Sequence, residues 1–139
     1  MLPGGRVKGC YHAIAKPHGA LVVAEGYATA ASVHEATGHA VAVAFNTANL
    51  LPVCRALREK YPRLALLLAA DDDHRTEGNP GLSAATEAAL AVGARVVRPQ
   101  FPADRPPKAT DFNDLAALAG LGAVRACFDE LLKDPQHDD

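Results

Sequence analysis

Leu64-Ala65-Leu66-Leu67-Leu68-Ala69-Ala70-Asp71-Asp72-Asp73 decides how this chain folds. An unbroken apolar run just after Pro62 reads as a strand covered on both faces. It ends in three adjacent carboxylates. Like charges a few ångströms apart raise one another's pKa and repel unless a proton or a cation intervenes. A core strand that closes on such charge points to a divalent metal. Hard cations such as Mg²⁺ take oxygen ligands, commonly one or two carboxylates, with phosphate oxygens and water filling the remaining positions. Phosphate chemistry is therefore the leading expectation.

Working outward, apolar runs alternate with helical patterns. Leu21-Val22-Val23-Ala24 is a short buried strand, and Tyr27 to Thr37 is a helix that closes at Gly38. Ala40 to Phe45 is a second strand. Ala48 to Lys60 has helical spacing through Leu50, Leu51, Cys54 and Leu57, and Pro62 stops it. Leu64 to Ala70 is the third strand. Leu82 to Val92 is a helix ending at Gly93, and Ala94 to Val97 is a fourth strand. Buried strands alternating with helices predict a mostly parallel four-stranded sheet with helices on both faces, a three-layer Rossmann-like α/β fold.

The ends follow a different rhythm. Val7 to Ile14 alternates weakly, as an antiparallel edge strand or hairpin would, and Met1-Leu2-Pro3-Gly4-Gly5 reads as a join to an upstream domain. Residues 1–19 are thus expected to be an N-terminal extension, 20–133 the domain proper and 134–139 a frayed tail. Pro99 to Lys108 is a Pro-rich loop, followed by helices over Asp111 to Leu118 and Ala123 to Leu132.

Composition narrows the function classes. The 139 residues suffice for one domain with a real core, and 49% hydrophobic with 22% charged residues is globular. A net charge of −2 gives no basic footprint, so a bound nucleic acid would need metal ions or another domain to neutralise its backbone. Cys10, Cys54 and Cys127 form no CxxC pair, which argues against a disulfide scaffold or structural zinc and for a reducing cytoplasm. Cys10 with His12 lacks a second pair of zinc ligands, while Cys54 and Cys127 read as core. No apolar run approaches the ~20 residues of a membrane span.

In doubly wound sheets, ligands bind beyond the carboxyl ends of the strands. Three acidic segments fall there. Glu25 follows the first strand, with Gly26 expected to let the chain turn tightly into a helix. Asp71 and Asp73 follow the third strand at a spacing that points both the same way in an extended chain. Asp111, Asn113 and Asp114 open the helix after the long loop. Each has an ordinary alternative. Glu25 could favour a helix dipole, an Asp of the triplet could cap a helix, and Asp111 with Asp114 fits a capping pattern. His74 and Arg75 read as solvent-facing, and Asn46 and Asn49 as rim or loop residues. Convergence of all three acidic segments favours a functional site.

Glu25-Gly26-Tyr27 after one hydrophobic strand and Asp71-x-Asp73 after another, with Gly78-Asn79-Pro80-Gly81 opening a helix, resemble the Toprim signature over roughly residues 20 to 120. Toprim is shared by bacterial-type primases, type IA and type II topoisomerases and certain nucleases. Within it, Glu25 to Ala30, Ala44 to Leu50 and Thr110-Asp111-Phe112-Asn113-Asp114-Leu115 resemble plasmid- and phage-type primases and primase-helicases, as does Gly4 to His12.

The resemblance implies a DNA primase module, a nucleotidyltransferase using Mg²⁺, with Mn²⁺ as substitute, in plasmid or phage DNA replication. Glu25, Asp71 and Asp73 would be catalytic. The metal ligands would be Glu25, Asp71, Asp73 and Asp111, supported by Gly26, Asn113, Asp114 and Lys108. Asn113 departs from the two-Asp form usual in replicative primases, so it is assigned only a supporting part. Partners would be single-stranded DNA template and ribonucleoside triphosphates, engaged through a larger parent enzyme; no membrane is implied. The chain lacks the basic subdomain and zinc module of such primases, so weak nucleic-acid binding and an inactive isolated fragment are expected. A Toprim nuclease and a non-catalytic metal- or nucleotide-binding module are the alternatives. A receiver domain would need its acidic pair after the first strand, and a haloacid-dehalogenase-type phosphatase an Asp-x-Asp-x-Thr, which Arg75 breaks.

Overall fold

The computed structural model describes residues 9–132. The expected join at Met1 to Gly5 and the expected tail at 134–139 lie outside the described residues. Five strands form one sheet in the order β1-β3-β2-β4-β5. They are β1 (His12–Ile14), β2 (Ala20–Ala24), β3 (Ala40–Val43), β4 (Ala65–Ala69) and β5 (Arg95–Val97). β2 pairs in parallel with β3 and with β4, and β4 with β5. β1 is the antiparallel edge, with His12 opposite Val43. Of the weakly alternating stretch before Ile14, His12–Ile14 forms an edge strand joined to the four parallel strands expected from the apolar runs, while Val7 and Lys8 lie outside the described residues.

The helices are α1 (Tyr27–Thr37), α2 (Leu50–Lys60), α3 (Pro80–Val92), α4 (Phe112–Ala119) and α5 (Leu121–Leu132). Alternate strand residues feed two cores. Ala20, Val22, Ala24, Val41, Val43 and Leu67 face α1, α4 and α5, where Phe112 and Phe128 pack with ring centroids 5.2 Å apart. Leu21, Val23, Ala40, Ala42, Leu66 and Leu68 face α2 and α3. Each such fully buried Leu, Val or Phe contributes about 1.5–3 kcal/mol of burial free energy. That is why β2 and β4, apolar on both faces, sit at the centre.

Sequence and structure differ at element ends. β3 stops at Val43, but Ala44 and Phe45 continue its pairing, with their N–H groups donating to Ala24 O (2.9 Å) and Glu25 O (2.7 Å). The second helix starts as a short 3₁₀ turn (Thr47–Asn49) capped by the Asn46 side chain. α3 starts two residues earlier than expected, because Asn79 caps it and Pro80 fits its first turn.

Topology places the site. From β2 the chain crosses by α1 to β3 on one side, whereas from β4 it crosses by α3 to β5 on the other. Adjacent strands whose connections depart in opposite directions leave a crevice between their carboxyl ends. Here that crevice lies between Ala24 and Ala69, which are paired directly.

Candidate functional site: a carboxylate rim at the strand switch point

Glu25 leaves β2 and Asp71 leaves β4, so the switch point is flanked by two acids. The burial of Asp71, followed by the charges of Glu25, Asp111, Asp73 and Asp114 in that order, raises its pKa from 3.8 to about 7. Four carboxylates from three segments thus act on a fifth. Burial also raises the pKa of Asp111, with the charge of Asp114 adding to it, against hydrogen bonds from the Asp114 backbone and the Thr29 side chain.

The triplet divides by direction. A β-carbon added at Gly81 would stand 2.8 Å from both Asp71 Cβ and Asp73 Oδ2, so these two residues share one side of the chain, against the start of α3. Only glycine allows that approach. Asp73 Oδ2 accepts a hydrogen bond from Gly81 N at 2.8 Å, and Asp73 N donates to Asn79 Oδ1 at 2.7 Å. Asp72 turns the other way and is buried. Its Oδ1 accepts from Asn79 Nδ2 at 2.6 Å, and Arg105 Nη1 reaches Oδ2 at 3.0 Å, with Arg98 4.0 Å away. Burial alone would raise the Asp72 pKa, but the hydrogen bonds from Asn79 and Arg105 and both guanidinium charges hold it below the ordinary carboxylate value.

Asp111 and Asp114 form a reciprocal capping box on α4. Asp111 Oδ1 accepts from Asp114 N at 2.8 Å, and Asp114 Oδ2 accepts from Thr110 N at 2.9 Å and Asp111 N at 3.3 Å. One oxygen of each thus has a structural partner. Asn113 is exposed, and its Oδ1 accepts from Ser32 Oγ of α1 at 2.9 Å. Lys108, His74 and Arg75 are exposed. Asn49 is buried and serves a loop role, donating to Cys10 O and Ala44 O and accepting from Gly9 N.

Gly26 does not fulfil the expectation of a tight turn. Its φ of −110° and ψ of 155° are ordinary extended values open to any residue, and a β-carbon there would meet nothing within 4 Å.

Arg105, Asn79 and Gly81 organise the rim yet were not singled out from the sequence as site residues. Asn79 and Gly81 carried a signal, since Asn-Pro-Gly is a helix opening. Arg105 carried none, being one of two cations, with Lys108, in an aperiodic Pro-rich loop. A cleft of about 430 Å³ lined by Tyr11, Lys16, Leu21, Lys60 and Tyr61 includes none of the rim acids. Among the described residues, no three His, Cys, Asp or Glu side chains stand as a ready-made metal cage, and no helix is long and apolar enough to cross a membrane.

Comparison with known proteins agrees with this fold. The family described as Toprim domain matches residues 20–121. An Escherichia coli protein described as DNA primase TraC is 46% identical over 107 residues, covering 69% of this chain and 10% of that protein. A second Escherichia coli protein of that description is 43% identical over 122 residues, covering 80% of this chain and 8% of that protein. The matched segment thus spans a tenth or less of these curated relatives. No solved structure matches the chain.

Proposed function

Because the chain belongs to the Toprim family, we propose that it is the catalytic module of a DNA primase, joining ribonucleotides on single-stranded DNA with Mg²⁺. The observation that carries this reading is the half-buried Asp71, held near a pKa of about 7 by burial and by the surrounding carboxylates. Charge assembled at that cost is relieved by a divalent cation or a proton. The donors are all hard oxygens, as Mg²⁺ or Mn²⁺ requires. With one oxygen of Asp73 and one of Asp111 already hydrogen-bonded within the fold, Asp71, Glu25 and the remaining oxygens of Asp73 and Asp111 would hold the metal. Substrate phosphates and water complete such a shell.

A divalent metal held by these residues would supply the positive charge that a phosphoryl displacement needs. In the proposed reaction the 3′-hydroxyl oxygen bonds to the α-phosphorus of a ribonucleoside triphosphate, and the bond to the β-phosphate breaks to release pyrophosphate. Glu25, at the end of β2, accepts the hydroxyl proton. Asp114, Asn113 and Asn79 position the rim, and exposed Lys108 offers a phosphate contact. Template binding falls to parts of the parent protein beyond this domain, as the net charge of −2 suggests.

Primer synthesis on single-stranded DNA by the polypeptide carrying this domain tests the reading. Glu25→Gln should abolish it without lowering the melting temperature. If that polypeptide instead cut DNA in a Glu25-dependent way and made no primer, the nuclease alternative would replace this one. Undiminished synthesis by the variant would make the domain non-catalytic.

A further inference from the structure

Phe45 adopts φ +76°, left-handed backbone in which a bulky side chain is strained, and the residue is 59% exposed. Strain and an exposed aromatic at one position serve neither the core nor the turn. The position is fixed, because Phe45 N donates to Glu25 O at 2.7 Å and so ties the residue to the rim.

Two more rings share this edge. Tyr27, two residues past Glu25 at the start of α1, is 56% exposed. His12 lies opposite Val43 across the β1–β3 pair, which puts it at the same end of the sheet, and its ring centroid is 6.1 Å from that of Tyr27. Among the described residues, Leu90 and Leu118 are the remaining exposed large hydrophobics, and both lie on helices. Exposed aromatic surface is thus concentrated on the β1–β3–β2 side of the rim, whereas the carboxylates occupy the β2–β4 side.

We propose that Phe45 and Tyr27 form a stacking platform for the base of a nucleoside triphosphate whose phosphates lie at the carboxylates. The separation suits this. From the end of β4 to the end of β3 is two strand spacings, about 10 Å, so one nucleotide can reach from Asp71 to Phe45. Aromatic faces accept any base, the tolerance a template-directed enzyme needs. The platform rests on the metal-site reading only for where the phosphates go.

The test compares Mg²⁺–ATP with Mg²⁺–tripolyphosphate, which lacks base and sugar. Binding is followed through the aromatic ring resonances of a chain with only four Phe, three Tyr and no Trp. ATP should bind more tightly than tripolyphosphate and shift the Phe45 and Tyr27 signals. Phe45→Gly should weaken ATP about 5- to 150-fold and leave tripolyphosphate unchanged. The same variant should melt at a higher temperature, since glycine removes the φ strain, so lost affinity would not reflect lost folding. Tyr27→Ala should act on ATP in the same direction. Absence of ATP binding, equal affinity for the two probes, or ATP affinity indifferent to Phe45→Gly would overturn the platform. So would Phe45-dependent binding of a short oligo(dT) in preference to ATP. Failure of the metal site is separately visible as tripolyphosphate binding unaffected by Asp71→Asn/Asp73→Asn.

Discussion

Arg105 holds Asp72 at two points, with Nη1 3.0 Å from Asp72 Oδ2 and Nη2 2.8 Å from the Asp72 carbonyl oxygen. Its Nε also donates to Ala109 O at 2.9 Å, and Asp72 N donates to Thr110 O at 2.7 Å. The turn after β4 is therefore clamped to the segment that delivers Asp111. The middle acid of the triplet is an anchor, and its neighbours Asp71 and Asp73 are free to face α3 and the rim.

Arg105→Met should destabilise the domain by about 3 kcal/mol, because it leaves the buried Asp72 charge with only the Asn79 hydrogen bond and Arg98 at 4.0 Å. Asp72→Asn should cost less, since the amide keeps an acceptor and carries no charge. Denaturant unfolding of the two variants checks the order. A loss below about 0.5 kcal/mol for Arg105→Met would mean the clamp is not formed in solution.

Asp71 makes stability depend on pH. Its folded-state pKa of about 7 lies above the ordinary 3.8, so the folded state binds the proton more tightly. Metal-free stability should be full below pH 4 as far as Asp71 is concerned, and fall as pH rises from about 4 through 7. Discounted for partial solvent exposure, the loss should be about 1–2 kcal/mol. Asp72 acts oppositely: its lowered pKa contributes stability above the ordinary carboxylate value, which is lost as pH falls below it. Asp71→Asn should remove most of the decline between pH 4 and 7 in melting curves, leaving the smaller part due to Asp111, whose pKa is also raised, and saturating Mn²⁺ should flatten it in the parent protein. A decline left undiminished by Asp71→Asn would assign it to another group.

Much of this was legible before the structure. β2 and β4 are unbroken apolar runs because both faces of the central strands are covered, and the residues just after them, Glu25 and Asp71, had to lie on the carboxyl rim. The sequence shows three equivalent carboxylates, whereas in the structure the neighbouring charges bear on Asp71 and Asp73 Oδ2 takes the Gly81 N–H as partner. That partner is eight residues away and appears only once α3 packs against the triplet. Arg105 and the left-handed Phe45 were equally hidden. Aperiodic loops encode their contacts through long-range folding rather than spacing, and a single Phe in an apolar stretch resembles any core residue.

Gly81→Ala should cost about 1–3 kcal/mol by overpacking, since its β-carbon would stand 2.8 Å from Asp71 Cβ and Asp73 Oδ2. It should also displace both carboxylates and weaken Mn²⁺ binding. Unchanged stability and unchanged Mn²⁺ affinity together would mean the approach of α3 is looser than described.

The capping box separates fold from site. Asp114→Ala should lower stability by about 1 kcal/mol by removing the acceptor for Thr110 N and Asp111 N. Asp111→Asn keeps an acceptor for Asp114 N and should change stability by no more than about 0.5 kcal/mol while lowering Mn²⁺ affinity. If Asp111→Asn leaves Mn²⁺ affinity untouched, Asp111 is a cap alone.

The most direct test of the metal-dependent rim is calorimetric titration of Mn²⁺ into the domain beside its Asp71→Asn/Asp73→Asn variant at pH 7.5. Saturable binding in the parent protein, absent from a variant that still folds, is the predicted result. Saturable binding that the double substitution leaves intact would put the cation elsewhere and contradict the account.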